Sequence, residues 1–346
     1  MKRAKRSDSQ NMKVLHAPEN LAGQASMIAR AQRELGIESD VLVFDQNYLN
    51  YECDINLSLS EKPKVIANIL QLINFVRCLF KYDVYHFHFA RSLLPRNLDL
   101  PILKLFRKKI IMHYWGSDIR QLDIAKKHKY HYAREMEIDP KKEERKRKKI
   151  KWINKFADIT IVEDCELLEY SPNSVIVERA FDLSKINFKK NNFNKNKKLK
   201  IVHSPTNRLI KGTKYIIKAV ERLKKEGYDF EFVSVENKTH DEALKVYEDA
   251  DIVIDQLLIG SYGVFAIECM AIGKPVLCYI REDIEKYHSN LPILNTNPDN
   301  IYDNLKLLIE KPELRKELGE KGKKYAEEVL DSRKIAKQMI ELYKSI

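Results

Sequence analysis

The sequence lacks a long hydrophobic run, a paired cysteine spacing and a secretory leader, and each absence excludes a class of protein. No apolar stretch approaches the roughly 20 residues that cross a bilayer, and the most apolar segment, residues 65–80, contains Asn, Gln and Arg, as in an amphipathic helix. The five cysteines form no CxxC pair, which argues for reduced thiols rather than a zinc site or a disulfide framework. No apolar segment follows the basic N-terminus, MKRAKRSDSQN. We therefore expect a cytoplasmic protein with a disordered extension at residues 1–11.

The excess of positive charge is confined to two segments. The formal net charge is +12. Residues 141–151 contain eight basic and two acidic side chains, a net of +6, and residues 184–200 contain seven lysines and no acid, a net of +7. A solvated surface is the first interpretation of such segments and an anionic membrane surface is the second. Nucleic acid is not expected, because no nucleic-acid-binding motif accompanies the charge.

Alternating strand-like and helix-like segments predict an α/β protein with parallel sheets. A chain of 346 residues suggests two domains. The lysine- and asparagine-rich segment 185–199 predicts the linker between a first domain at 12–184 and a second at 200–330, with a C-terminal helix at 331–346. The main predicted strands are 13–16, 40–44, 84–89, 109–113 and 159–162, then 200–203, 230–235, 251–255 and 275–279. The longest predicted helices are 23–35, 65–80, 214–226, 241–249, 298–310, 312–329 and 332–344.

Residues 249–279 combine two strand-like runs with a loop and a helix. The loop 260–263 leads into the helix, whose N-terminal N–H groups and dipole attract an anion. Glu268 lies about one and a half turns inside that helix, and Gly273 and Pro275 are typical of the end of a helix and the start of the next strand. The spacing predicts an anion-binding βαβ unit, and an ordinary βαβ unit is the open alternative.

This segment resembles the donor-binding signature of retaining glycosyltransferases of the GT-B fold, glycosyltransferase family 4 in particular. The family pattern is of the type E-x-F-G-x-x-x-x-E-A-M-A-x-G-x-P-V, and the matching residues are Tyr262-Gly263, Glu268, Met270-Ala271, Gly273 and Pro275-Val276. Gly260 stands where the family has its first glutamate, which is expected to hold the sugar hydroxyls. The resemblance implies two Rossmann-like doubly wound domains, a deep interdomain cleft, and a last helix that crosses back to the first domain.

The resemblance also implies a nucleotide-sugar donor. Arg208 and Lys211 lie on a loop similar to the family's G-R-x-x-x-x-K-G loop, and we assign them to the donor diphosphate and to catalysis. Glu268 would bind the ribose hydroxyls. His240 is either a neighbour of the nucleotide base or a residue at the start of a helix. The remaining donor-binding candidates are Gly23, Val235, Glu236, Tyr262, Gly263 and Val264.

The segment 113–120, HYWGSDIR, resembles a family segment in which a histidine contacts the sugar or the acceptor. Trp115 occupies the family's histidine position, so we expect His113, on the same side of the strand, to replace it as a catalytic residue. Trp115, Asp118 and Arg120 are the acceptor-side candidates.

Metal is not expected, for two reasons. No D-x-D motif stands at the end of a strand. His86 and His88 alternate along one strand, and packed, hydrogen-bonded histidines are favoured there over a metal pair. No cofactor is expected either, because the nucleotide sugar is a substrate.

The combined prediction is a glycosyltransferase that moves a sugar from a nucleotide-sugar donor to a glycan or a lipid-linked acceptor, with retention of configuration and without a metal. Two alternatives stay open. A nucleotide-sugar epimerase shares the fold, and Gly260 and Trp115 at functional positions are compatible with a non-catalytic carbohydrate- or nucleotide-binding protein. The expected location is the cytoplasm, free or peripheral on the inner face of the cell membrane.

Overall fold

Two parallel β-sheets with helices around them make up the protein in the computed structural model, which describes residues 12–46, 51–183, 198–288 and 290–346. The strands of the first sheet are β1 Lys13–Ala17, β2 Glu38–Val43, β3 Ile55–Asn56, β4 Val84–His88, β5 Lys109–Tyr114, β6 Ile159–Val162 and β7 Val175–Ile176. The strands of the second are β8 Leu199–His203, β9 Phe230–Ser234, β10 Ile252–Ile254, β11 Val276–Cys278 and β12 Ile293–Asn295. The predicted main strands are therefore present, whereas the short β3 and β12 were not predicted.

The helices lie between the strands, as the alternating pattern predicts. In chain order the α-helices are α1 Gln24–Glu34, α2 Lys64–Lys81, α3 Asp99–Leu105, α4 Leu122–Ala125, α5 Pro140–Phe156, α6 Arg208–Lys211, α7 Thr213–Lys225, α8 His240–Glu248, α9 Val264–Ala271, α10 Glu282–Glu285, α11 Ile301–Glu310, α12 Pro312–Tyr325 and α13 Ser332–Lys344. Within the described ranges no helix has both the length and the apolar character needed to cross a bilayer.

The chain divides into two compact units. The first contains the residues up to Gln121, Asp139–Ala180 and Ser332–Ile346, and the second contains Leu122–Ile138 and Phe181–Asp331. The sequence places 122–138 in the first domain, but Tyr132 donates its backbone N–H to the Leu258 carbonyl (3.1 Å) and packs against Leu258 within the second unit. Local sequence patterns do not contain such a long-range contact. The predicted extension 1–11 and linker residues 185–197 lie outside the described residues.

The first unit has the strand order β3-β2-β1-β4-β5-β6-β7, with every pair parallel. The direction of the order reverses between β1 and β4, as in doubly wound dinucleotide-binding folds. The core contains Val14, Val84 and Ile111, and α13 packs onto this core through Ile335 and Met339. The last helix therefore belongs to the first unit, as the resemblance implies.

The second unit has the strand order β12-β11-β10-β8-β9, also with parallel pairs. Its order reverses between β8 and β10, whose carboxyl ends are neighbours. Helix α7 buries Ile216, Val220 and Leu223, spaced three and four residues apart, against Leu305 and Leu308 of α11. Ligands of open parallel sheets bind beyond the carboxyl ends of strands at such a reversal. A ligand is therefore expected beyond the carboxyl ends of β8 and β10.

Candidate functional site

A buried histidine joins the two strands at the reversal of the second sheet. His203, the last residue of β8, donates from Nδ1 to the Ile254 carbonyl (2.8 Å) and accepts at Nε2 from the Thr213 hydroxyl (2.9 Å). Burial lowers the pKa of His203 to about 4. The neutral ring therefore connects β8, β10 and the start of α7, and it positions the loops that leave this edge of the sheet.

Lys211 lies at this edge in a buried ion pair that local patterns did not predict. Its Nζ donates to Asp255 Oδ1 and to Gln256 Oε1, each at 2.7 Å. The Lys211 side chain is 12% exposed and that of Asp255 is fully buried. The other carboxylate oxygen of Asp255 accepts the backbone N–H of Gly263 (2.6 Å), which precedes α9. The ammonium group is therefore held at the N-terminal end of a helix, where an anion is stabilised.

A side chain at Gly263 would crowd this ion pair. A Cβ atom at Gly263 would lie 3.0 Å from Lys211 Nζ and 3.1 Å from Asp255 Oδ2. The preceding Tyr262 is fully buried, with its ring edge against His288 at 5.5 Å between centroids, so its side chain belongs to the core. The donor role predicted for Tyr262 therefore rests on its backbone, and those of Gly263 and Val264 stay predictions.

Arg208 and Glu236, both predicted to bind the donor, form an ion pair with each other. Asn207 accepts two backbone N–H groups at the start of the short helix α6, which places Arg208 beside the end of β9. The guanidinium group donates to both oxygens of Glu236, at 2.8 and 3.1 Å. Arg208 and then Ser234 hold the pKa of Glu236 down, at about 2. An exposed pair of this kind contributes little free energy, so a diphosphate can replace Glu236 as the partner of Arg208.

Glu268 is buried on α9 and paired with His240. The His240 Nε2 atom lies 2.7 Å from Glu268 Oε1. Thr239 and Glu242 form a capping box that starts α8 and makes His240 its first residue. His240 therefore begins a helix, as one of its two interpretations has it, and it contacts a predicted donor-binding acid. Its place beside the nucleotide base stays a prediction. Val235, in contrast, is buried and extends β9 by donating its N–H to the His203 carbonyl (2.8 Å).

Gly260, where the family has a glutamate, cannot accommodate one in this conformation. Its φ is +97°, and a Cβ atom there would lie 2.6 Å from Cγ of Arg281. Arg281 is buried and donates to both oxygens of Asp283 (2.8 and 2.9 Å) and lies 2.8 Å from His128 Nε2. Arg281 therefore fills the space that a side chain at position 260 would need.

We expect Gly260→Ala to destabilise the second unit by more than Gly227→Ala does. Both glycines have a positive φ, but no atom of a described residue lies within 4 Å of a Cβ at Gly227. Strain at each site costs about 1–3 kcal/mol, and only Gly260→Ala adds the clash with Arg281. Urea unfolding followed by circular dichroism measures both variants. Equal losses of stability would show that Arg281 does not determine the residue at 260.

The acceptor-side candidates lie beyond the carboxyl end of β5 in the first unit. Asp118 accepts the backbone N–H groups of Trp115 (3.0 Å) and Gly116 (2.8 Å), and burial raises its pKa to about 6. Arg120 is buried and donates to both oxygens of Glu166, each at 2.8 Å. The structure therefore gives Arg120 an internal carboxylate partner, which the sequence did not predict.

Gly23 starts α1 with a φ of +71°, but its close neighbour belongs to the protein. A Cβ atom there would lie 2.7 Å from the ring of Tyr51. The absence of a side chain at Gly23 thus makes room for the aromatic ring of Tyr51. The donor-binding role of Gly23 stays a prediction.

A chain of buried hydrogen bonds begins at Trp115. An indole N–H can only donate, so Nδ1 of His88 accepts from Trp115 (3.1 Å). The proton of His88 is then on Nε2 and is donated to Nδ1 of His16 (3.1 Å). His16 in turn donates from Nε2 to Oε1 of Gln32 (2.9 Å). The direction of the first bond therefore determines the tautomers of both histidines.

The same chain continues to His113. The Gln32 amide donates to the Tyr343 hydroxyl (3.1 Å), which donates to Nδ1 of His86 (2.5 Å). His86 then donates from Nε2 to Nδ1 of His113 (3.2 Å), so the proton of His113 is on Nε2. Among the described residues nothing accepts a hydrogen bond from that atom. His113 is therefore a neutral donor whose Nε2–H is buried, and its ring lies 4.3 Å from that of Trp115.

These histidines also have the spacing of a metal site. One ring nitrogen from each of His16, His86 and His88 lies within 4.8 Å of the others. Their nitrogens are partners in the hydrogen-bonded chain above, and the rings of His86 and His88 stack at 4.6 Å. The cluster therefore consists of packed, hydrogen-bonded histidines, which is the interpretation favoured from the sequence.

Comparison with known proteins shows likeness in structure but not in sequence. No family model matches the chain. No curated protein matches it either. Among solved structures, sucrose-phosphate synthase from Thermosynechococcus elongatus is 15% identical with a TM-score of 0.68, covering 97% of this chain and 98% of the other. HepE from Anabaena in complex with UDP is 13% identical with a TM-score of 0.65, covering 97% and 100%. A UDP-N-acetylglucosamine 2-epimerase is 14% identical with a TM-score of 0.55, covering 97% and 98%.

These likenesses confirm the predicted fold class. The two parallel α/β domains match GT-B structures over nearly the whole chain. At sequence identities of 13–15%, these likenesses are evidence for the fold and not for the activity. Membership of family 4 and the stereochemistry of the reaction stay predictions.

Proposed function

We propose that the protein is a glycosyltransferase that uses a nucleoside-diphosphate sugar as donor. The observation that carries this proposal is the cluster at the reversal of the second sheet. There Lys211 is held at the start of α9 by buried Asp255, and Arg208 lies on the adjacent loop. Two cations and a helix N-terminus beyond parallel strands form a site for a diphosphate.

In this proposal the cations stabilise the negative charge that builds up on the leaving diphosphate. Lys211 is already oriented by two hydrogen bonds, so little reorganisation accompanies the reaction. Arg208 exchanges its exposed partner Glu236 for a phosphate oxygen. With this positive charge supplied by side chains, the reaction we propose does not depend on a divalent metal.

We assign sugar or acceptor contact to the first unit. The His113 Nε2–H is a neutral donor suited to a sugar hydroxyl, and the ring of the partly exposed Trp115 lies beside it. We further propose retention of configuration, with the donor phosphate taking the acceptor proton. The acceptor we propose is a glycan or a lipid-linked saccharide.

The proposal is tested by a thermal-shift screen of nucleotides and nucleotide sugars, followed by transfer assays with the donors that bind. UDP is the first probe, because HepE was crystallised with it. A ligand at 100 times its dissociation constant adds about 2.7 kcal/mol of stability. We expect stabilisation by at least one nucleoside diphosphate and turnover of its sugar conjugate. Binding without turnover would favour the non-catalytic alternative.

An epimerase is the second candidate, since the fold also matches UDP-N-acetylglucosamine 2-epimerase. Incubation with UDP-N-acetylglucosamine and no acceptor distinguishes the two enzymes. Proton NMR would show the C2 epimer if the protein is an epimerase. A glycosyltransferase would leave the donor unchanged or hydrolyse it slowly.

We expect Glu268→Gln to weaken UDP binding about tenfold, because hydrogen bonds to a charged group contribute about 1.5–3 kcal/mol and a neutral amide keeps only part of that. Isothermal titration with UDP and with 2′-deoxy-UDP measures the contact. If Glu268 binds the ribose hydroxyls, the substitution should have a smaller effect on the deoxy ligand. The exposed Glu313→Gln is the matched control. An equal effect on both ligands would show that Glu268 does not contact the 2′-hydroxyl.

A further inference from the structure

Helix α2 leaves one apolar side uncovered. Its large exposed hydrophobic residues are Val65, Ile66, Ile69, Leu72, Ile73, Val76 and Phe80. At 100° per residue these residues occupy a continuous arc of about 120°. The opposite side of α2 is buried through Phe75, Cys78 and Leu79. The helix therefore packs on its own unit by one side and presents a second apolar side outward.

The apolar surface continues onto the end of α3. Phe106 lies edge-on to Phe80, with ring centroids 6.2 Å apart, and the neighbouring Leu105 is 80% exposed. We name the exposed residues of α2 together with Leu105 and Phe106 the α2–α3 face. A continuous exposed apolar surface on a folded protein is typical of an interaction site.

Basic residues occur near both ends of α2 and at the end of α3. Helix α2 contains Lys64, Arg77 and Lys81 and no acidic residue, and Lys104, Arg107 and Lys108 lie at the end of α3. Lys81 and Lys104 pair with Asp40 and Asp158 and keep exposed side chains. The face therefore combines apolar side chains with a cationic border.

The basic helix α5 lies on the same side of the sheet. The crossovers through α2, α3 and α5 all run in one direction along the strand order, so right-handed connections place these helices on one side. The Trp152 indole of α5 donates to the Asn97 carbonyl just before α3 (3.2 Å). Helix α5 is thus on the side of the sheet that carries α2 and α3, with Trp152 beside the start of α3, which sequence distance alone does not show.

We propose that the α2–α3 face binds an anionic lipid surface, with α2 lying in the plane of the interface. An amphipathic helix with exposed aliphatic and aromatic residues and a cationic border is the arrangement that binds such surfaces. A second copy of the chain is a poorer occupant, because a two-fold interface would bring the two cationic borders together. The inference is independent of the proposed transfer reaction, since it uses no residue of the donor site.

Cosedimentation of the full chain with vesicles tests this proposal. We expect binding to phosphatidylcholine vesicles that contain phosphatidylglycerol, little binding to phosphatidylcholine alone, and release by salt. The triple variant Ile69→Asn/Leu72→Asn/Val76→Asn should lower the partition coefficient at least tenfold. Arg77→Ser should lower it about fivefold, since a basic residue near an anionic surface contributes about 1 kcal/mol. Leu307→Asn, at an exposed apolar position of the second unit, is the control and should bind as the parent does.

Tryptophan fluorescence and nucleotide binding establish that each variant is folded. Vesicle binding by the triple variant equal to that of the parent overturns the proposal. A failure of the parent to bind anionic vesicles, combined with dimerisation in sedimentation velocity that the triple variant abolishes, assigns the face to a second copy and also overturns it.

Discussion

Replacing Lys211 by alanine should reduce sugar transfer by about 100- to 1,000-fold, the loss that follows removal of one preorganised group that stabilises developing charge. Lys211 is fixed by Asp255 and Gln256 at the start of α9, so its ammonium group is held in place before the donor binds. The loss should appear mainly in kcat, because the negative charge on the diphosphate grows as the sugar leaves. Steady-state kinetics with the donor found by the thermal-shift screen measures it.

A loss of stability must be separated from this loss of activity. Lys211→Ala alone leaves the buried Asp255 carboxylate without its cation, which costs about 3–5 kcal/mol. Adding Asp255→Asn removes that charge and keeps an oxygen for the Gly263 N–H. We expect the double variant to regain stability in urea unfolding and to stay inactive. Full transfer by the stable double variant would exclude Lys211 from the reaction.

Acidification from pH 6.5 to pH 5.5 should destabilise the first unit through its buried histidines. Burial lowers the pKa of His16 to about 4 and of His113 to about 3, and it holds those of His86 and His88 well below the usual range. The unfolded chain binds protons below pH 6.5, whereas the folded histidines stay neutral, so stability falls as the pH falls. The four histidines together cost about 4 kcal/mol over this unit of pH.

Buried carboxyl groups of the first unit oppose this effect, chiefly Asp118 and Glu163. Burial raises the pKa of Asp118 to about 6 and that of Glu163 to about 7, so both take up protons more readily in the folded state. Their contribution to stability grows as the pH falls and offsets about 2 kcal/mol of the loss. We therefore expect a net decrease of about 2 kcal/mol in the free energy of unfolding.

Tryptophan fluorescence reports this change selectively, because both tryptophans, Trp115 and Trp152, belong to the first unit. Urea unfolding at pH 6.5 and at pH 5.5 measures how the free energy of unfolding changes with pH. His16→Asn should lower the pH-dependent loss by about 1 kcal/mol, whereas the control His128→Asn, in the second unit, should not change it. An unfolding midpoint independent of pH in the parent would show that the histidines are not held neutral.

Much of the fold was predictable because it follows local periodicity. The strand at 159–162 and the helix at 332–344 have the bounds that the sequence predicts, and most other long elements differ by one or two residues. The two-residue strand Ile55–Asn56 was not predicted, because it contains too few residues to form a pattern. The membership of Leu122–Ile138 in the second unit was also missed, because it depends on contacts with Leu258 and Ile259, more than 100 residues away in the chain.

The sequence by itself determined the α/β class, the two halves and the positions of Lys211, Arg208 and Glu268, since each depends on spacing within one segment. Only the tertiary structure decided which groups these residues meet. Asp255 reaches Lys211 across 44 residues, and His240 reaches Glu268 across 28. The tautomer of His113 depends on Tyr343, more than 200 residues away, through His86. Hydrogen bonds and ion pairs of this range arise when strands and helices that are distant in the chain pack together, and no local pattern contains that information.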